Sequence, residues 1–363
     1  MHIFNYIIIS MALFLSYFIF YRFPGMFFEK NKEQTSLVSV IIPARNEELN
    51  LPLLLGDLSR QTYGKMEIIC VDDGSTDNTA EIIKSSNAQY LNIRELPSGW
   101  RGKTWACQKG AEAANGDYYI FIDADVRLKE NAIAAIMNHS NSKVPVSIQP
   151  YHSIKKPYEN FSFFFNMIQT GSTKLLLPYN ASTDGLFGPV VMIPKTVFEE
   201  FNGYEPVSDR CVEDYYLGKF YESHGISPKL FLGGSLFSFR MYSGGFGQLL
   251  EGWTKNFSTG AGITSKIMLI LSIIWITGIT VLPVEILIAF SRGWTETAMI
   301  LTTVYFLIVI SLIRSGKKLG SFPILTSLLY PVPLLAFHLI FIYSMLSTKV
   351  FKSTTWKGRR MQV

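Results

Sequence analysis

Four long apolar runs near the two ends of the chain constrain its fold more than any other feature. The first covers residues 3–21 (IFNYIIISMALFLSYFIFY), and the others cover residues 267–290, 297–313 and 322–346. A helix needs about 20 apolar residues to cross a hydrocarbon core of ~30 Å, so the first run is long enough. Its basic neighbour, Arg22, follows the run instead of leading it, which favours an uncleaved anchor over a secretory signal peptide.

The positions of the basic residues predict which side of a membrane the middle of the chain occupies. At 48% hydrophobic and 14% aromatic residues, the composition is ordinary for a protein that lies partly inside a bilayer. Basic clusters beside spans mark the cytoplasmic side. They are Arg22, Lys30 and Lys32 after the first run, and Arg314, Lys317 and Lys318 between the last two. We therefore expect a multi-pass cell-membrane protein with a cytoplasmic catalytic domain.

The last apolar run, residues 322–346, conflicts with the cytoplasmic placement of basic residues if it crosses the membrane completely. Three C-terminal crossings would put the basic tail, residues 347–363, outside the cell. Pro331 and Pro333 interrupt the run, so it is either a full crossing or a re-entrant hairpin that leaves the tail inside. We expect the second arrangement.

Cysteine spacing and charge exclude several classes of protein. Cys70, Cys107 and Cys211 are odd in number and have no CxxC spacing, so neither a disulfide framework nor a zinc site is indicated. The net charge of +5 is modest, and the middle of the chain has no basic stripe with interleaved aromatic residues. We therefore expect no nucleic-acid partner.

The middle of the chain alternates predicted strands and helices. This order predicts an α/β fold with a mostly parallel sheet, helices on both faces, and a ligand site beyond the carboxyl ends of the strands. The predicted strands are residues 39–44 (SVIIPA), 66–73 (MEIICVDD), 88–93, 118–123 and 185–194, and the predicted helices include residues 47–59, 103–115 and 212–225.

Polar groups follow three of these strands: PARNEE after the first, DDGS after the second and DAD after the fourth. If the fourth strand continues far enough, Asp123 and Asp125 point to the same side. Two close carboxylates repel unless a divalent cation binds them, and such a cation keeps positions for phosphate oxygens. Turn or helix-cap roles also explain each group alone. Their convergence at one edge favours a site for Mg²⁺ or Mn²⁺ and a diphosphate.

IIPARNEE, VDDGSTD, GWRGKTWAC, FIDADV and VEDYYLG, in this order over residues 38–260, resemble the family-2 glycosyltransferases of the GT-A fold. The resemblance implies a Rossmann-like nucleotide-binding half, a nucleotide-sugar donor and a DXD metal site. It implies a place around the donor for eight residues. Ala44, Arg45 and Glu47 would border the base and ribose, Asp73 or Asp72 would read the uracil, Asp123 would approach the ribose or the metal, Asp125 would bind the metal, and Lys103 would meet the diphosphate.

The same resemblance assigns residues of the second half to the acceptor. Asp214, beside Glu213, matches the family's general base, although acids in a helix's first turn are also favoured by the helix dipole. Gln248 and Trp253 correspond to an acceptor groove, but their spacing departs from the family's QXXRW, and Trp253 also fits an interfacial anchor. Residues 160–179 fit either an interfacial helix or a buried face of the acceptor half.

SIQPYH, FRMY, EGWTKNFSTGA and WKGR further resemble bacterial glycosyltransferases of staphyloxanthin-type carotenoid biosynthesis, which act on an apocarotenoid acid. This implies UDP-glucose as the donor and a glucosyl ester formed with inversion. Alternatives are a hydroxylated lipid acceptor (ceramide, hopanoid or diacylglycerol) and an inactive GT-A membrane scaffold. A nucleotidyltransferase would need a glycine-rich basic loop after the first strand, and PARNEE is not one.

The predicted organisation has five parts. They are an anchor (1–22), a nucleotide-sugar-binding half (36–150), an acceptor-binding half with the interfacial helix (151–266), C-terminal transmembrane helices (267–346) and a basic tail (347–363).

Overall fold

The computed structural model describes residues 2–30, 35–351, 353–356 and 359–362, without the side chains of 255–263 and 347–363. Its strands are β1 (Val38–Ala44), β2 (Met66–Asp72), β3 (Gln89–Asn92), β4 (Tyr118–Ile122), β5 (Val126–Leu128), β6 (Val146–Gln149), β7 (Tyr151–His152), β8 (Val190–Pro194), β9 (Lys229–Leu232), β10 (Phe237–Phe239), β11 (Ser353–Trp356) and β12 (Arg359–Gln362). Its α-helices are α1 (His2–Phe18), α2 (Leu51–Leu58), α3 (Thr79–Lys84), α4 (Gly102–Glu112), α5 (Ala132–Asn138), α6 (Phe163–Ser172), α7 (Lys195–Glu200), α8 (Glu213–Ser223), α9 (Phe246–Ile263), α10 (Lys266–Ser291), α11 (Thr295–Leu319), α12 (Ile324–Leu328) and α13 (Pro331–Phe351).

The chain divides into two compact units, and each is built from separate stretches of sequence. The helical unit comprises Met1–Phe23, Ser153–Ala181 and Tyr242–Val363. The sheet unit comprises Pro24–His152 and Ser182–Met241. Residues 153–181, which we assigned to the acceptor half, belong to the helical unit. The predicted boundaries of the five parts stay predictions.

A seven-stranded sheet in the order β3-β2-β1-β4-β8-β6-β9 forms the sheet unit. β1 pairs in parallel with β2 and β4, and β2 with β3, whereas β8 is antiparallel to both β4 and β6. The central strands are buried on both faces because helices cover them, which explains their continuous apolar runs. The predicted mostly parallel α/β sheet is confirmed.

Two strand boundaries differ from the sequence prediction. β4 ends at Ile122, and Asp123 follows it in a turn that closes when the Val126 amide donates to the Asp123 carbonyl (3.1 Å). Asp123 and Asp125 are therefore turn residues, and the condition under which they would share one face, a strand that continues to Asp125, is not met. The strand expected from residue 185 begins only at Val190, because a glycine turn precedes it.

A buried carboxylate fixes the strand that follows this turn. Asp57 on α2 is 3% exposed and accepts hydrogen bonds from Arg127 Nε (2.5 Å), Arg127 Nη2 (2.9 Å) and the Leu128 amide (3.1 Å). Burial acts to raise the pKa of Asp57, but these bonds and the charges of Arg127 and Arg60 hold it below its ordinary value. β5 is thereby attached to α2, directly after Asp125.

In the helical unit, α1 runs antiparallel to α10. Trp275 donates to the Ser16 hydroxyl (2.9 Å), Gly278 lies against Ala12, and Glu285 accepts hydrogen bonds from Asn5 (2.6 Å) and His2 (2.9 Å). Gly278 allows the close approach, because a Cβ there would lie 2.6 Å from the Ile8 carbonyl oxygen.

The apolar runs near the chain ends form helices of unequal length. α10 and α11 are long and apolar enough to cross a membrane, whereas His2–Phe18 and Pro331–Leu346 are shorter apolar helices. The last run is divided between α12 and α13.

Replacing Asp57 by Ala is expected to lower the free energy of unfolding by about 3 kcal/mol, because two donors of Arg127 and the buried Leu128 amide lose their acceptor. A urea titration in detergent, followed by circular dichroism, measures the loss. Since the folded pKa is depressed, the stabilisation is present above the ordinary pKa of 3.8 and disappears as the pH falls below it. Glu81→Ala, which removes an exposed ion pair with Lys84, is the control; an equal loss in both variants would contradict this role.

Candidate active site

The ends of β1 and β2 bring together the predicted residues for the nucleotide. The Asp73 amide donates to the Ala44 carbonyl (2.9 Å), and Arg45 Nη1 donates to the Asp73 carbonyl (2.6 Å) and lies 3.9 Å from its carboxylate. Gly74 adopts a φ of +64° beside Arg45, a conformation that a glycine accommodates without strain. Ala44, Arg45 and Asp73 thus form one group at the carboxyl edge of the sheet.

The side chains of Asp72 and Glu47 accept hydrogen bonds within the neighbouring turns. Asp72, 3% exposed, accepts hydrogen bonds from the Ser75 amide (2.9 Å) and the Tyr90 hydroxyl (3.4 Å). Glu47 accepts from the Asn50 side chain (2.8 Å). Between the two aspartates that we predicted for the uracil, Asp72 therefore has the turn-closing contacts and Asp73 lies next to Arg45.

A second group joins α4, the end of β4 and α8. The Lys103 ammonium lies 2.8 and 3.1 Å from the two carboxylate oxygens of Asp123 and 3.1 Å from Glu213 Oε1. The GWRGK loop is attached to the segment before α8, since the Arg101 amide and the Thr104 hydroxyl both donate to the Ser208 carbonyl (2.9 and 2.7 Å). Lys103 is therefore held among carboxylates and is not a lysine directed into solvent.

The charged side chains around Lys103 shift one another's pKa values. Burial acts to lower the pKa of Lys103, but Asp123, Glu213 and Asp214 outweigh it and raise the pKa well above its ordinary value. Burial, together with the charge of Glu213, raises the pKa of Asp214 to about 7, while Lys103 opposes that rise. Lys103 is thus permanently charged near neutral pH, and Asp214 is poised between its two protonation states. Paired groups with such different titration are typical of catalytic sites.

Three glycines bring the chain close to Asp214. A Cβ at Gly188 would lie 2.6 Å from Asp214 Oδ2, and one at Gly185, which has a φ of +85°, would lie 2.5 Å from the Tyr215 ring. Gly218 lies against the backbone of Gly185. The segment GLFG therefore covers the first turns of α8 at a distance that side chains would prevent.

Asp125, half-buried, lies in the turn between Asp123 and β5. Among the residues that the structure describes, no group of three or more His, Cys, Asp or Glu side chains could hold a metal ion. The candidate donors are the hard carboxylate oxygens of Asp123 and Asp125, which suit Mg²⁺ or Mn²⁺ when phosphate oxygens complete the coordination. The residues present therefore fit a cation that is shared with a diphosphate, and do not form a closed protein cage.

The two residues predicted for the acceptor groove lie in the helical unit. Trp253 is 1% exposed, stacks on Phe165 with ring centroids 4.5 Å apart, and donates its indole N–H to the Ser162 hydroxyl (3.1 Å). The Gln248 side chain accepts from the Gly244 amide (2.8 Å) at the start of α9. Their role in an acceptor groove stays a prediction.

Sequence reasoning missed the role of three residues. Gly188 was part of a predicted strand, although the repeated glycines of GLFG were a signal of close approach. Asp57 and Arg127 carried no signal, because a contact between α2 and β5 depends on the tertiary fold.

Comparisons with known proteins agree with this geometry. The sheet has the GT-A fold, and a mannosyltransferase from Pyrobaculum calidifontis, solved with GDP-Man and Mn²⁺, shares that fold. The TM-score is 0.55 at 15% identity, covering 93% of this chain and 96% of that one.

The sequence comparisons establish the family. The family model described as glycosyl transferase family 2 matches residues 39–187. A 4,4'-diaponeurosporenoate glycosyltransferase from Staphylococcus haemolyticus is 35% identical over 98% of this chain and 96% of its own length. The Staphylococcus aureus (strain MRSA252) protein of the same name is 31% identical over 90% of this chain and 88% of its own length. The chain belongs to glycosyl transferase family 2 and is a glycosyltransferase.

Gly188→Ala is expected to lower the rate of glycosyl transfer about 10²-fold, because its Cβ displaces the Asp214 carboxylate and small misplacements of reacting groups carry that cost. Radiolabelled transfer in membranes measures it. Gly64→Ala is the matched control, since a Cβ at Gly64 meets nothing within 4 Å. Equal activity in the two variants would show that the position of Asp214 is unimportant.

Proposed function

We propose that this enzyme transfers a glucosyl residue from UDP-glucose to the carboxylate of an apocarotenoid acid at the cytoplasmic face of the cell membrane. The observation that carries the proposal is the end-to-end similarity to 4,4'-diaponeurosporenoate glycosyltransferases, 35% over 98% of the chain. The acidic cluster around Lys103 supports it, because it joins the nucleotide half of the sheet to the segment that carries Asp214.

On the donor side, the grouping at the ends of β1 and β2 suits the uridine. In this proposal Asp73 accepts hydrogen bonds from the base, and Arg45 holds Asp73 in place. Ala44, Glu47 and Asp72 shape the neighbouring turns. A Mg²⁺ or Mn²⁺ ion held by Asp125 and Asp123 would neutralise charge on the diphosphate. Lys103, whose ammonium contacts both carboxylate oxygens of Asp123, supplies further positive charge beside the diphosphate.

The proposed transfer is one displacement at the anomeric carbon. An oxygen of the acceptor carboxylate forms the new bond on one face, the bond to the diphosphate breaks on the other, and its electron pair leaves with UDP, so the configuration inverts. A carboxylic acid with a pKa of ~4 is already ionised at neutral pH, so no proton has to be removed. Asp214 and Glu213 then orient the acceptor and remove no proton from it.

The helical unit supports a membrane location for this reaction. The outward side chains of α10 and α11 are large and apolar, for example Leu287 (70% exposed) and Ile300 (64% exposed). A surface of this kind suits lipid, and an apolar polyene acceptor would reach the enzyme from the same phase. We therefore propose that the protein lies in the cell membrane and crosses it more than once.

The product distinguishes the acceptor classes. Membranes incubated with radiolabelled UDP-glucose, Mg²⁺ and an apocarotenoid acid are expected to form a glucosyl product that mild alkali cleaves, because esters are base-labile. The matching apocarotenoid alcohol and a lipid extract with ceramide, hopanoid and diacylglycerol are the controls. A base-stable glycoside from these controls would favour a hydroxylated acceptor. No product from the apocarotenoid acid would contradict the proposed acceptor.

The pH profile and two substitutions test the role of Asp214. With the acid acceptor we expect a flat rate between pH 6 and pH 8, because ionisation of Asp214 near its pKa of about 7 is not required. Asp214→Asn should cost ~10-fold, and Asp125→Asn at least ~10²-fold, since only the second weakens cation binding. With a hydroxyl acceptor the rate should rise as the pH rises to 7, and Asp214→Asn should cost ~10²–10⁴-fold. Equal losses for the two variants on the acid would refute this division of roles.

Removal of divalent cations is expected to abolish transfer. Membranes treated with EDTA should lose activity at least ~10²-fold, and excess Mg²⁺ or Mn²⁺ should restore it, because without the cation the carboxylates of Asp123 and Asp125 would repel the diphosphate. Isothermal titration of UDP into the detergent-solubilised protein, with and without Mn²⁺, gives an independent reading. Transfer that is unchanged after chelation would contradict a cation at this site.

A further inference from the structure

The last apolar run of the helical unit is interrupted where its two helices meet. α12 ends at Leu328, Tyr330 is 0% exposed, and α13 begins at Pro331. Tyr305 on α11 donates its hydroxyl to the Leu328 carbonyl (2.6 Å) and stacks on Tyr330 with centroids 5.0 Å apart. The Tyr330 hydroxyl donates to the Ile279 carbonyl of α10 (3.0 Å). The break is therefore supported by side chains, as an interruption inside hydrocarbon requires.

The contacts of the break fix its depth along α10 and α11. Ile279 lies midway along α10, and Tyr305 lies near the middle of α11. Because these two helices are the candidate spans, the break is at about half the depth of the ~30 Å hydrocarbon core.

The start of α12 lies at the end of α11 that carries the basic residues. Arg314 on α11 donates to the Tyr21 carbonyl (2.5 Å), so this end of α11 is also the end of α1 that Arg22 follows. Beyond α11, the Ile154 amide donates to the Ser321 hydroxyl (2.7 Å), and Thr326 on α12 donates to the Asn160 side chain (2.8 Å). α12 thus starts at the same side, beside residues 154–160.

α13 packs against elements of that same side. Phe337 contacts Phe165 on α6 (centroids 4.9 Å apart), and Ser344 donates to the Thr254 carbonyl of α9 (2.8 Å). α9 is tied in turn to the 3₁₀ helix Pro157–Ser162 through the bond from Trp253 to Ser162. A complete crossing would instead bring the end of α13 to the opposite end of α10, where Glu285 binds His2.

Over residues 324–346, the exposed side chains of these two helices are mostly apolar. On the outward face they include Leu325 (60%), Leu329 (52%), Leu335 (61%) and Leu346 (57%). This face continues the apolar exterior of α10 and α11, so its occupant is the same, namely lipid acyl chains.

We propose that residues 322–346 form a re-entrant hairpin that occupies one leaflet, turns at Tyr330 and returns to the side on which α11 ends. The chain then crosses the bilayer three times, through α1, α10 and α11, and its tail lies on the side of Arg22 and Lys317. This inference rests on the proposed membrane location. It deepens that proposal by naming the lipid that covers the apolar face of residues 322–346, namely the leaflet on the side where α11 ends.

Reporter fusions to the full-length chain test the topology. Green fluorescent protein, active inside, and alkaline phosphatase, active outside, are placed after Gly293, after Gly320 and after Val363. We expect the Gly293 fusion outside and the other two inside. A Val363 fusion outside, with the first two as expected, overturns the hairpin but not the membrane location. Fusions after Gly293 and Gly320 on one side overturn the membrane location itself.

A depth measurement separates a hairpin from a segment that only lies on the surface. Nitroxide labels at Leu329→Cys and Leu346→Cys are compared in vesicles in a Cys211→Ser background, because Cys70 and Cys107 are buried. The ratio of oxygen to nickel-chelate accessibility should be at least ~3-fold higher at position 329, since it lies deeper. Equal ratios at the two positions, or a higher ratio at 346, overturn the hairpin.

Discussion

The arrangement of the site depends on one half-buried charge, the Lys103 ammonium, and on the carboxylates around it. Lys103 contacts Asp123 and Glu213, which stand on different parts of the sheet unit, and lies in the field of Asp214. Without this cation the carboxylates would repel one another at close range. With it, the end of β4 and the start of α8 are held together. Asp214 keeps a raised pKa because burial and the charge of Glu213 outweigh the opposing charge of Lys103.

Local patterns were sufficient to predict the order of the first four strands and the edge of the sheet at which the polar residues meet. Strand and helix periodicity depend on neighbouring residues, and parallel pairing places successive strand ends together. The pattern did not show that β4 stops at Ile122, since Asp123 and Asp125 fit a strand or a turn equally well. It also did not show which charges meet, because Lys103 and Glu213 are far apart in sequence and only the tertiary fold joins them.

In the helical unit, too, the sequence pattern located the elements but did not show which of them meet. Hydropathy located all four apolar runs, but it is contacts such as those of Tyr330 with Ile279 and Tyr305 that relate the last run to the others. Hydropathy measures preference for lipid and does not show whether an apolar run crosses the bilayer or turns back within it. The side-chain hydrogen bonds that satisfy an interrupted backbone do show this.

The division of the chain has a practical consequence. The polypeptide passes between the two units at residues 23–24, 152–153, 181–182 and 241–242, so neither unit is a continuous segment. Removing both terminal regions would leave residues 153–181 attached to the sheet unit, with Phe163, Phe164 and Phe165 stripped of Phe322, Phe337 and Trp253. Such a truncated protein would present an aromatic surface to water and would aggregate unless residues 153–181 were replaced by a short polar linker.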